Sequence, residues 1–131
     1  MDTTGSFAGV PLDGHLSSLL RGDQRYYWRV ARLISESQGL KIQAVKVDDL
    51  MRSLGNSSWY GTNEKATVRS ILEHVRRALS TDLACPIILS SDGKVMDGSH
   101  RIVAAALKGI EELPAIRFSE DPSPDHVEAI K

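Results

Sequence analysis

The run from Pro86 to Phe118, PIILSSDGKVMDGSHRIVAAALKGIEELPAIRF, constrains the fold most. PIILS and KVMD are short apolar stretches on either side of Ser-Asp-Gly. Those turn residues tolerate positive φ, so the pattern predicts a hairpin. SHRIVAAALKG is apolar nearly all round and closes at Gly109, which predicts a helix packed against a sheet. LPAIRF offers a final strand.

The chain has 131 residues, enough for one domain with one core. Hydrophobic residues at 41% and charged residues at 25% are ordinary for a globular protein and argue against disorder. No apolar run reaches the roughly 18 residues that a membrane span needs, and the first residues lack a secretory pattern, so the expected location is cytoplasmic, with no membrane partner. Cys85 is the single cysteine, which excludes an internal disulfide and a CxxC metal knuckle; its apolar neighbourhood predicts a buried structural thiol. A net charge of −1 gives no global field for a nucleic acid, so any such binding needs a local patch.

Upstream, residues 1–22 read as an arm of Gly, Ser, Thr and Pro, and residues 23–118 as the domain. Tyr26, Val30, Leu33, Ile34 and Ser37 fall at helical spacing between Asp23 and Gly39, which predicts an N-terminal helix. KIQAVKV predicts a strand over 41–47, ended by Asp48-Asp49. MRSLGNSSWYGTN predicts a long loop carrying Trp59 and Tyr60 after a short helical turn. A helix follows, with Asn63 and Glu64 at its start and Val68, Ile71, Leu72, Val75 and Leu79 on one stripe. Residues 119–131 read as a polar tail. The order predicts an α+β (mixed α/β) domain: a mixed sheet with packed helices, plus the extra helix at the N-terminus.

At Asp97-Gly98-Ser99-His100-Arg101 a strand gives way to a helix, so the first backbone N–H groups of that helix point into the turn. Gly98 lets an oxyanion approach the backbone, and His100 and Arg101 add a titratable donor and a planar cationic fork. Phosphate is the ligand this suits. The same residues also suit a plain helix start, with Asp97 or Ser99 as cap, Gly98 making the turn, and His100 and Arg101 on a solvated face.

With those residues in view, Pro86 to Phe118 resembles the core of the ParB N-terminal domain and sulfiredoxin superfamily. The resemblance implies that Gly98, Ser99, His100 and Arg101 bind nucleotide phosphate (ATP, ADP or CTP), with Trp59 and Tyr60 on a ligand-facing loop. Sulfiredoxin has its nucleophilic cysteine where this chain has Ser99, so sulfinic acid reduction is not expected. Proteins of the ParB type usually have Glu there and add a helix-turn-helix domain, for which this chain has no room after the motif. The ParB-like free serine kinases carry Asp-Gly-His-His-Arg, matched here by Asp97, Gly98, His100 and Arg101. That implies phosphotransfer to a small hydroxyl-bearing acceptor, or hydrolysis, with Mg²⁺. Asp97 is the candidate metal ligand or base, and Glu64 and Asp48 are further candidate acids; a helix-start acid and a strand end explain the last two equally simply.

Two other functions stand beside this one. Arg21, Arg25, Arg29 and Arg32, placed on one side of the N-terminal helix near Tyr26, Tyr27 and Trp28, suggest a DNA- or nucleotide-binding module without catalysis, although such a stripe is commonly a solvated face. The third is a ParB-like nuclease. His15, His74 and His126 are too scattered to signal a metal.

Overall fold

The computed structural model describes residues 6–7, 10–11, 16–54 and 66–130. Glu64, Trp59, Tyr60 and His15 lie outside the described residues. Two short strands, β1 (Ser6–Phe7) and β2 (Val10–Pro11), pair antiparallel at the start.

The expected N-terminal helix is split by a hairpin. β3 (Leu16–Arg21) and β4 (Gln24–Arg29) pair antiparallel across Gly22-Asp23, with Gly22 at φ 63°. The two-residue turn and the consecutive aromatics Tyr26, Tyr27 and Trp28 favour strand over helix. Only the second half of the periodic stretch is helical, as α1 (Val30–Ser37), with Leu33 and Ser37 buried. The polar tail also carries structure. Its residues His126–Ala129 form a strand paired to β4, with Tyr26 opposite Val127. Pairing therefore runs across both of the boundaries expected at residues 22 and 118.

The second sheet is built from β5 (Ile42–Lys46), β6 (Ile87–Leu89), β7 (Val95–Asp97) and β8 (Glu112–Arg117), in the order β5-β8-β6-β7. The tail strand is β9 (His126–Ala129). β6 and β8 run parallel while the other neighbours are antiparallel, so the sheet is mixed and the fold is α+β. The predicted hairpin is present as β6 and β7. Asp48 and Asp49 do not end a strand; they sit in the first turn of α2 (Val47–Leu54), where acids suit the helix dipole. Val47 and Leu50, both buried, together with Leu54, give that helix its inward face.

α3 (Val68–Ser80) begins at Thr67, whose hydroxyl accepts from the Ser70 N–H at 3.1 Å in a capping box; Asn63, expected near its start, lies outside the described residues. α4 (Ser99–Leu107) is followed by Gly109 at φ 72°, as expected.

Strand alternation explains how the layers are assembled. Ile87 and Leu89 of β6 point to one side and join Val47, Leu50, Ile102, Ala105, Leu113 and Ala115 under α2 and α4. Ile88 points to the other side and joins Leu19, Trp28, Leu33, Met96 and Phe118 beneath the first hairpin and α1. β6 is buried on both faces, which is why its three residues are uniformly apolar. Cys85 is exposed, contrary to expectation. It lies in a turn where its N–H donates to the Asp82 carbonyl, before the apolar strand starts.

Candidate functional site

β7 delivers the chain to Gly98, which has φ 116° and ψ 17° and stands at the N-cap of α4. The Ile102 N–H donates to the Gly98 carbonyl at 3.0 Å, so the helix winds from the glycine, and glycine has no side chain to cap it. A Cβ placed at Gly98 would lie 2.5 Å from Ile87 Cδ1 and 2.9 Å from a terminal nitrogen of Arg101. The position therefore demands glycine on both conformation and space.

Arg101 folds back over that glycine. Its Nη2 donates to Asp97 Oδ2 at 2.9 Å, and the two side chains are only 13% and 24% exposed. This corrects one expectation, because the guanidinium is not an open fork on a solvated face; part of it is an internal ion pair holding strand end to helix start. The pairing also occupies Asp97, the candidate base and metal ligand. The Arg101 Nε, by contrast, is buried and has no hydrogen-bond partner among the described residues. A buried guanidinium N–H without an acceptor is costly and calls for an explanation.

His100 is joined to α3 through His74. His74 Nδ1 and His100 Nε2 are 3.0 Å apart, with ring centroids 5.2 Å apart and planes 13° apart. The centroid separation is close to the nitrogen distance plus two ring radii, so the imidazoles meet edge to edge in one plane. One ring donates and the other accepts. His74 was not recognisable as part of this site from the sequence. The available signal was its place on one α3 edge with Ser70 and the buried Ala78, at intervals of four.

The other acids do not converge here. Asp48 lines a cavity of about 400 Å³ together with Ala106, Gly109 and Ile110, at the far end of α4. α4 has nine residues and is roughly 13 Å long, so Asp48 is not brought to Gly98. Among the described residues no group of three or more His, Cys, Asp or Glu side chains converges as a metal site.

The arginine stripe is dispersed by the hairpin. Arg21 lies on β3, Arg25 and Arg29 on β4, and Arg32 on α1. Arg21 is 2.9 Å from Asp92 and 3.0 Å from Asp121. Burial opposes its charge, but these two carboxylates outweigh that and raise its pKa. Arg29 and Arg32 both approach Asp125, at 3.7 and 3.3 Å, and Arg25 donates to the Ser18 hydroxyl. Three of the four are thus neutralised by acids of the turn and tail, and the four do not share a helix face. No helix is long and apolar enough to cross a membrane among the described residues.

No protein-family model, curated protein or solved structure matches the chain significantly.

Proposed function

We propose that this chain is a ParB/sulfiredoxin-like nucleotide-binding domain that takes a phosphate group at the opening of α4. The observation that carries this is the Arg101 Nε, buried and without an acceptor among the described residues, packed over the Gly98 turn at the opening of α4. A phosphate oxygen there would accept from that N–H and from the helix amides, in the positive end of the helix dipole. The succession β5, α2, α3, β6, β7, α4, β8 is also in keeping with the resemblance to that superfamily. His100, steadied by His74, is the second donor.

Binding is better supported than catalysis. Phosphotransfer or hydrolysis with ATP, ADP or CTP needs a base and usually Mg²⁺. Asp97 fits the single carboxylate that Mg²⁺ takes when nucleotide oxygens supply its other ligands. It is occupied by Arg101, so it becomes available only where phosphate takes over the guanidinium. A non-catalytic nucleotide-binding module is therefore the second reading, favoured by the Asp97–Arg101 pair. DNA binding through Arg21, Arg25, Arg29 and Arg32 has weaker support, given their acidic partners.

Thermal and calorimetric titration with ATP, ADP and CTP, with and without Mg²⁺, tests the reading. A ligand at a hundred times its Kd should stabilise the fold by about 2.7 kcal/mol. Arg101→Lys keeps a cation for Asp97 and removes the Nε–H, so it should weaken binding at least about tenfold while the protein stays folded. Undiminished binding by that variant would remove Arg101 from the site.

A further inference from the structure

α3 turns the wrong edge of itself to its own protein. His74, which meets His100 of α4, shares an edge with Ser70 and the buried Ala78, while the apolar residues Val68, Leu72, Val75 and Leu79 centre about a third of a turn away. Val68 is 86% exposed, Leu72 46%, Leu79 51% and the neighbouring Ile71 45%. None of them belongs to either apolar cluster of the interior. Their intervals of four, three and four are those of a coiled-coil seam.

The rim of that seam carries its own information. Arg69 and Arg76, seven residues apart, flank it on the side away from α4, and Arg76 is 67% exposed. The one acid of the helix, Glu73, is 3.5 Å from Arg76 and leaves Arg69 and Arg77 without compensation from α3 itself. An antiparallel second copy of α3 would bring its own Arg69 and Arg76 to the same rim, so charge disfavours self-pairing there. A partner helix with carboxylates beside its apolar stripe complements it.

We propose that α3 is a docking surface for an amphipathic helix of another protein, three to four turns long and acidic along its flank. The apolar stripe gives the contact its area, and Arg69 and Arg76 select the partner. This is independent of the phosphate site, since the seam and the His74 edge are different sides of one helix.

The test uses the full chain and two labelled synthetic helices with identical Leu/Ile seams, one with Glu and one with Lys at the flanking positions, read by fluorescence anisotropy. The Glu-flanked helix should bind at least about tenfold tighter, and this margin should shrink as salt rises. Leu72→Asp with Leu79→Asp, both at half-exposed positions, should abolish binding while circular dichroism and melting stay unchanged. Arg69→Glu with Arg76→Glu should invert the preference toward the Lys-flanked helix. Equal binding of the two helices, no binding of either, or binding that survives Leu72→Asp/Leu79→Asp overturns the proposal. A dimer in sedimentation equilibrium that dissociates in that double variant overturns it in favour of self-association.

Discussion

Gly98→Ala measures how tightly the turn is built. The new Cβ meets two separate costs. At φ 116° an L-residue is strained, which is worth about 1–2 kcal/mol. The Cβ also falls 2.5 Å from Ile87 Cδ1, in a strand whose residues are buried on both sides, and such overpacking costs about 1–3 kcal/mol. The guanidinium of Arg101 is the far end of a flexible side chain and can move aside, so it adds little to the stability loss. The sum is roughly 2–5 kcal/mol, a large part of the stability of a domain this size. Ile87→Val removes the opposing Cδ1 and on its own costs about 0.5–1.5 kcal/mol. The two changes relieve one another, so the double variant should be less destabilised than the sum of the singles by about 1–2 kcal/mol. Urea denaturation of the four proteins, at constant m, gives the cycle. Strict additivity, or a Gly98→Ala cost below about 1 kcal/mol, would refute the idea that the glycine is demanded by space as well as by φ.

Other perturbations probe the far side of the sheet. Trp28 is 1% exposed and its indole N–H donates to the Pro122 carbonyl at 2.8 Å, so Trp28→Phe leaves both a cavity and an unpaired acceptor. A loss of about 2–4 kcal/mol in urea midpoint terms is expected. The Asp92 carboxyl is held below its usual pKa chiefly by the Ser90 hydroxyl and then by Arg21, against the opposing effect of burial. A carboxylate with a lowered folded pKa contributes stability above its unfolded pKa and loses it as pH falls through the folded one. Thermal stability should therefore decline below about pH 4, and Asp92→Asn should flatten part of that acid limb; an unchanged limb would detach Asp92 from it.

The region read well in the sequence is the one where local signals and tertiary packing agree. Ser-Asp-Gly between two apolar runs, the alanine-rich helix and Gly109 each specify their own geometry, and β6, β7, α4 and β8 follow them. The first hairpin was hidden because Tyr26 sits four residues before Val30 and five elements of a helical period continue across the junction, although a strand ends at Arg29. Gly22-Asp23 was the overlooked signal. β9 was invisible for another reason: its strand character comes from pairing with β4, which no neighbouring residue reports. At the site, Asp97, Gly98, His100 and Arg101 are contiguous and so share the β7–α4 junction, and the Asp97–Arg101 ion pair spans only four residues, whereas the arrival of His74 depends on where α3 packs. Asp48 looked available only because sequence distance says nothing about which end of α4 it faces.

The sheet that holds β4 at its centre has one edge made before residue 22 and the other after residue 125. During translation the first hairpin therefore emerges with an open edge that waits for about a hundred further residues. Until residues 126–129 have left the ribosome, that edge is offered to any extended chain nearby, so this half of the molecule is where a stalled or shortened product would stick to its neighbours.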